Sequence, residues 1–430
     1  MNLRLVKKKF RQEVILDVDR RRNSKFVIAR KFLALCLKAL GGLVLTLVLA
    51  PISLFRPIEI WHLQISRSKI SFFIRDLEFG LQDLKARRQL GKRFVIALYP
   101  IRFPNSQLAV MYRRYVTILG KKQYYLAESF RFIIPIGRIK KRGRITDDSA
   151  NRFKIWNQRT PTLTFTTDEV LEGEKLNGKL SLKNNQPYVC LGFSSKRYRI
   201  SADYAIDKRN NLGRGKSNNL FDVVPTVSSY IPMIKMLTDN NIAVVRTGIL
   251  EDERLPSGLG PLVHDYSFSE QSPFGDVWLH SRCLFSIAGG GSGSHWFASI
   301  FNIPCLMIDQ FMLAGSYGNQ DLFIMQLPWL IKEKRFATFE WMTRPENLDW
   351  AFDNCRLDVE YKLVKNTPQQ IIDATDEMIK RRNGTWIESD EDLKLQANLR
   401  QVIDLWPPHD RAPAKMGAKF LREHQHLLPD

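Results

Sequence analysis

The chain is poor in the residues that carry metal or disulfide chemistry. Its 430 residues include five cysteines, Cys36, Cys190, Cys283, Cys305 and Cys355, an odd count with no CxxC pair. That pattern excludes a disulfide framework and a zinc ribbon, and predicts buried free thiols in a reducing compartment. Histidines and carboxylates show no HExxH or comparable spacing, so no metal is expected. Zinc-finger, basic-zipper and RNP-type signatures are missing too, which argues against nucleic acid as a partner despite the basic charge. Hydrophobic residues reach only 44%, too few for a polytopic membrane protein and too many for a disordered chain.

What is present starts with charge. Lys and Arg number 65 against 44 Asp and Glu, a net charge of +21, so anionic partners are expected: membrane lipid or phosphorylated substrates. The excess is densest within residues 7–11, 20–31 and 138–144. A nucleic-acid-binding protein is the least favoured reading of that charge, for want of a recognition module.

One membrane-grade segment occurs, at residues 32–56, preceded by the basic segment 1–31. Lys38 interrupts it, and Gly41, Gly42 and Pro51 weaken it as a straight helix. Its uncharged part, residues 39–55, is at the short end for a span. The upstream Lys and Arg belong in the cytoplasm by the positive-inside rule. No small-residue cleavage site follows, so a removed signal peptide is not expected. Together with Arg56, Arg67, Lys69 and Arg75 downstream, these features predict an interfacial or re-entrant helix on the cytoplasmic face of the inner membrane; a full span, which would put the body of the chain outside, and a buried core helix are the competing readings.

Two α/β regions follow. Residues 58–183 alternate helical and strand patterns, with residues 94–99 a strand and 107–119 a helix bearing Arg113 and Arg114. The polar stretch 162–182 reads as a connection, and the Lys183-Asn-Asn-Gln-Pro187 turn marks the boundary. Residues 187–405 are more regular, with strands at 188–193, 242–246 and 284–288 and helices between them; residues 406–430 read as a tail. Strands alternating with helices predict a doubly wound parallel sheet, whose ligands bind at the carboxyl ends of the strands.

The most informative motif sits at such an end. Residues 284–288 are apolar and run into Gly289, Gly290, Gly291, Ser292, Gly293 and Ser294, then a short helix stopped by Pro304 and a further strand. Backbone amides of a glycine turn that opens a helix favour an anion. No P-loop lysine follows, so a tight corner with no ligand remains the competing reading. Arg246 and Gly248 leave a neighbouring strand, and their convergence on the turn favours a phosphate-bearing ligand.

Taken in order, Val189-Cys190-Leu191 with Tyr198, Arg209-Asn210, residues 244–248, His264-Asp265-Tyr266, Asp276, Ser292-Gly293, Pro304, Asn366-Thr367-Pro368, Ile371 and Glu377-Met378 resemble a family of bacterial glycosyltransferases found with surface-polysaccharide and lipopolysaccharide assembly genes. Residues 105–108 with Met111, Arg113 and Arg114 extend the resemblance into the first domain, so that it covers residues 58–405. It implies an α/β fold of two Rossmann-like domains (GT-B-like) preceded by an N-terminal membrane-associated helix. It also implies transfer of a sugar from a nucleotide-diphosphate donor to a glycan or lipid-linked acceptor, with no tightly bound cofactor and no metal.

By that resemblance the diphosphate would sit on the amides of residues 290–294, with Arg246 as charge partner. Asp309 would receive a ribose hydroxyl or simply cap its strand. His264 and Asp265 would line the cleft as candidate catalytic residues or serve the fold alone. Relatives carry an Arg after the Val-Cys-Leu strand; here Gly192-Phe193-Ser194-Ser195 stands there, with Lys196 and Arg197 after it. Relatives also carry an Arg-Ile-Gly-His turn that aligns with Lys69-Ile70-Ser71-Phe72, so its histidine is missing and no general base is assigned. The alternative is therefore a catalytically inactive scaffold of the same fold.

Overall fold

Two parallel sheets organise the chain, and each is built from strands buried on both faces. The structure, a computed structural model, describes residues 25–63, 70–99, 102–142, 152–182, 186–197, 226–249, 251–310, 313, 316–344, 347, 360–406 and 411–429. Lys69, Tyr198, Arg209, Asn210 and Cys355 lie outside them. The chain divides into two compact units, one of residues 1–68, 75–104 and 109–145, the other of 69–74, 105–108 and 146–430.

The first unit holds a four-stranded parallel sheet of β1 (Ile58–His62), β2 (Phe94–Leu98), β3 (Thr117–Leu119) and β4 (Ile139–Arg142), in the order β3-β2-β1-β4. β1 pairs with β2 from Ile58↔Phe94 and with β4 from Ile58↔Ile139. Ile58, Ile60, Ile96, Leu98, Phe130 and Ile139 form its core, with Leu45, Leu49 and Ala50 packed against it. Parallel strands shielded on both faces carry continuous apolar runs, as β2 does; β1 departs from this with the buried Glu59.

Those last three residues come from the apolar segment, which is one helix, Lys25–Phe55, running through Pro51. The expected break at Pro51 does not occur. A proline removes one backbone donor, and nearby carbonyls find other partners: Ser53 Oγ donates to the Ala50 carbonyl at 2.7 Å and Arg138 Nη1 to the Leu54 carbonyl at 3.0 Å. Lys38, expected to interrupt the segment, is paired with Glu128 at 3.3 Å.

The second unit is built on a seven-stranded sheet of β5 (Tyr188–Phe193), β6 (Ala243–Thr247), β7 (Val263–His264), β8 (Ser286–Gly289), β9 (Cys305–Gln310), β10 (Leu322–Met325) and β14 (Lys415–Met416). The order is β14-β10-β9-β8-β5-β6-β7, and every pairing is parallel. The chain builds outward from β5 to β7, then returns to the other side of β5 with β8. This is the doubly wound order, with its reversal between β5 and β8. A small antiparallel sheet of β11 (Leu327–Leu330), β12 (Arg335–Phe336) and β13 (Tyr361–Val364) was not anticipated from the sequence.

Two further expectations are corrected. The stretch read as a connection contains a helix, Thr167–Lys179, closed at its start by a Thr166–Glu169 capping box, and it belongs to the second unit. Glycine and asparagine disguised it, but Gly173 is there because a Cβ would run into the Trp278 ring. The second unit therefore begins upstream of the boundary at 183–187. The supposed tail supplies β14 and the helix Ala418–Glu423, and buries Phe420, Leu421, Leu427 and Leu428 in the core of the second unit.

Candidate functional site

The site is assembled at the carboxyl ends of β5 and β8, where the sheet order reverses and the flanking connections leave on opposite faces. The two strands run together to Phe193↔Gly289, and the Ser194 amide donates to the Gly289 carbonyl at 3.2 Å. Beyond that point Gly290 and Gly291 take left-handed backbone, φ 59° and 72°, which costs glycine nothing and other residues ~1 kcal/mol or more each. Gly192 leaves room for the Ser294 hydroxyl beside β5.

The amides of the turn are not all available. Gly290 donates to the Ile308 carbonyl at 3.0 Å, Ser292 to the Gly289 carbonyl at 3.2 Å, and Ser294 to the Ser292 hydroxyl at 3.3 Å. The amides of Gly291 and Gly293 have no partner among the described residues. Gly291 is exposed and Gly293 half-buried. Ser292 Oγ donates to Ser294 Oγ at 3.1 Å, so the donors the turn offers are those two amides and the Ser294 hydroxyl; backbone amides grouped in this way are the environment that receives an oxyanion. The helix that follows, His295–Ser299, has five residues and opens later than expected, so its dipole adds little.

Arg246 does not reach for a ligand. Only 1% exposed, its guanidinium pairs with Glu251 at 2.8 Å, donates to the Glu253 carbonyl and lies 3.6 Å from Asp265. It is a strut for the β6 exit, tying the acidic loop beyond Gly248 to the sheet. Burial pushes Glu251 up to about 7, against the pull of Arg246. Asp252 accepts from the amides of Lys196 and Arg197 at 2.6 and 3.0 Å, which leaves both of those side chains exposed on the loop leaving β5. They are exposed cations on the segment that leaves β5, the strand paired with β8.

Asp309 is occupied as well. It is the penultimate residue of β9, in left-handed backbone, φ 52°. One carboxylate oxygen accepts from the Asn366 amide at 2.8 Å and the other from Tyr230 Oη at 3.1 Å. Asn366 in turn accepts from the Asp309 amide at 2.8 Å. The strand-end cap, rather than a ribose acceptor, describes what it does here. Tyr230 and Asn366 were not recognised as parts of the turn's support, because each partner lies far away in sequence.

His264 and Asp265 are not brought to the turn. β7 is separated from β8 by β6 and β5, so His264 lies about 14 Å away at sheet spacing. Burial holds the His264 imidazole below its ordinary range. Asp265 accepts from the Leu255 amide at 2.9 Å and the Ser267 hydroxyl at 3.0 Å, and shapes its own loop.

Closer to the turn are two histidines the sequence reading passed over. His295 meets the Ser292 carbonyl through Nδ1 at 2.9 Å, and His280 meets the Asp276 carbonyl through Nδ1 at 2.8 Å. Burial pushes both down to about 4, so both are neutral at pH 7 and serve as fixed hydrogen-bond bridges. Asp276 is fully enclosed and pushed up by burial to about 7. No group of three or more His, Cys, Asp or Glu that could hold a metal occurs among the described residues.

No protein family matches the chain, and no curated protein does. Some solved structures show a distant similarity to the chain. A glycosyl transferase family 9 protein from Veillonella parvula is 8% identical, with a TM-score of 0.37 over 64% of this chain and 87% of that one. The ADP-heptose lipopolysaccharide heptosyltransferase II of E. coli is 12% identical, with a TM-score of 0.43 over 76% of this chain and 99% of that one. The dodecameric, iron-containing heptosyltransferase TibC, solved with ADP-D-beta-D-heptose, is 11% identical, with a TM-score of 0.30 over 59% of this chain and 58% of that one.

Proposed function

We propose that the second unit binds the diphosphate of a nucleotide sugar on the turn between β8 and β9, and that the chain is a glycosyltransferase acting on a glycan or lipid-linked acceptor at a membrane surface. The observation that carries this reading is the pair of unfilled amides, Gly291 and Gly293, at the reversal of a doubly wound sheet. Such a turn receives phosphate oxygens without a metal, and the leaving diphosphate gains charge during transfer that amides and nearby cations stabilise. Lys196 and Arg197 supply the cations. The motif order that resembles surface-polysaccharide glycosyltransferases supports a nucleotide sugar as the donor, and the exposed apolar helix supports attachment at the inner membrane's cytoplasmic face.

Calorimetric titration with a panel of nucleoside diphosphates and their sugars, an ADP-linked sugar included, tests the reading. Binding of one nucleotide class with micromolar affinity, weakened about tenfold by Lys196→Ala/Arg197→Ala without a change in Tm, is the expected result. No binding across the panel sinks it.

A catalytically silent relative of the same fold is the second reading, and a specific observation favours it. The carboxylates and imidazoles nearest the turn are committed to structural partners, and Ile70-Ser71-Phe72 offer no base where relatives carry histidine. Sugar release or transfer from the bound donor separates the readings, because a silent protein shows neither.

A further inference from the structure

The helix Lys25–Phe55 has the length and apolarity of a membrane span, with a mean hydropathy of 2.3 over its best window. Its packing is not that of a free-standing span. One face is docked on the first unit along its length. Lys38 pairs with Glu128 at 3.3 Å; Thr46 Oγ1 accepts from the Ile134 amide at 2.9 Å; Ser53 Oγ accepts from the Arg138 amide at 3.2 Å. Gly42 allows that approach, since a Cβ there would stand 2.6 Å from Phe132 Cβ and 2.8 Å from the Ser129 carbonyl.

The opposite face is unlike this one. Leu33, Leu37, Leu40, Val44, Leu47 and Leu54 repeat at spacings of three, four or seven and are each 52–66% exposed. No charged residue occurs in the helix between Lys38 and its end at Phe55. The unit it packs on carries the exposed Tyr124 and Tyr125, and exposed cations occur near the helix ends, Lys31 and Arg56, and elsewhere in the same unit, Lys121, Lys122, Arg138 and Lys140. Aromatic rings and cations around an apolar stripe match the headgroup region of an anionic leaflet.

From these contacts we infer that the helix lies in the plane of one leaflet as a lipid-facing stripe of the first unit and does not cross the bilayer. This rests on the membrane-surface reading above and adds its geometry. From Leu35 to Ser53 the docked face spans about 27 Å, close to the whole hydrocarbon thickness. An upright helix would carry the Lys38–Glu128–Arg131 charges and the irregular backbone after Phe130 into hydrocarbon, where charged groups and irregular chain facing lipid are costly. In-plane docking leaves them in water and puts only the stripe into lipid.

Full-length protein carrying an epitope at each end, in inverted inner-membrane vesicles, provides the test. Both epitopes should be cleaved by protease without detergent; protection of either one overturns the in-plane geometry while leaving membrane attachment intact. Flotation should be about tenfold stronger on phosphatidylglycerol-containing vesicles than on pure phosphatidylcholine, and equal binding removes the anionic leaflet as the partner. Leu40→Asp/Leu47→Asp should abolish flotation with Tm and nucleotide binding unchanged; flotation like the parent's shows that the stripe is not the lipid contact. A lipid-free dimer cross-linked through the exposed Cys36 that fails to float would make a second copy the occupant and overturn the proposal.

Discussion

The two sheets share a plan and differ in what stands at its reversal. In each, the first strand is central, the next two lie to one side and the fourth to the other, as β3-β2-β1-β4 and β7-β6-β5-β8. In the first unit the polar groups beside the central strand meet each other. Glu59 on β1 lies 3.5 Å from Arg87 and 3.4 Å from Arg142, and Arg142 reaches Asp83 at 2.6 Å. In the second unit, two backbone donors at the reversal, the amides of Gly291 and Gly293, have no partner among the described residues, and the buried charges nearby are arranged to hold the strand exits still. Topology makes a crevice in both, but only unmatched donors make a place for an anion.

Substitutions can break that comparison. The largest effect is expected from Arg246→Ala, which leaves Glu251 buried without its partner at a cost of about 3–5 kcal/mol. A drop in Tm of roughly 10 °C would show it, whereas an unchanged Tm with lost nucleotide binding would restore Arg246 as a ligand residue.

Asp276→Asn should act in the opposite direction and depend on pH. The folded protein keeps the Asp276 proton up to about 7 while the unfolded chain loses it near 4, so stability falls as pH rises through that window. Between pH 5 and 7 the penalty grows by two pH units at 1.36 kcal/mol each, about 3 kcal/mol. Removing the charge should therefore raise Tm more at pH 8 than at pH 5. His280 and His295, pushed down to about 4, bind fewer protons folded than unfolded, so their contribution is lost as pH falls from 6.5 towards 4.

Gly173→Ala should cost about 1–3 kcal/mol in thermal unfolding, because the added methyl has no room beside Trp278. A neutral result would mean that the helix Thr167–Lys179 is not held where it is placed. Lys196→Ala/Arg197→Ala should weaken nucleotide binding about tenfold with stability unchanged. The smallest effect belongs to the first unit. Arg142→Ala removes a partly exposed guanidinium from a cluster that keeps Arg87 and Arg93, and should cost no more than ~1 kcal/mol. A loss as large as that of Arg246→Ala would erase the contrast between the sheets.

How much of this was legible depended on the range of the interaction. β5 appears in the sequence at its observed bounds because a strand buried on both faces is an uninterrupted apolar run bounded by turn residues. The glycine turn was legible because backbone of positive φ demands glycine locally. Arg246 shows the same rule in reverse, and for Asp309 the strand-end cap was one of the two readings the sequence left open. A charged residue at a strand exit looks available until its partners are known, and Glu251, Asn366 and Tyr230 become partners only when strands and loops close on one another. Gly173 looked like a helix breaker because Trp278 is absent from its local sequence.

By itself, the sequence determined the doubly wound character of the second unit, the glycine turn, the apolar helix and the lack of a metal-ligand spacing. Periodicity, apolar runs and backbone permissiveness are properties of neighbouring residues, so they survive in a one-dimensional record. The tertiary structure alone decided which turn amides stay free, which charges are spent on each other, and which face of the Lys25–Phe55 helix is docked. Those outcomes depend on hydrogen-bond partners and burial supplied by residues tens to more than a hundred positions apart, and a donor is known to be free only after every competing acceptor has taken its place.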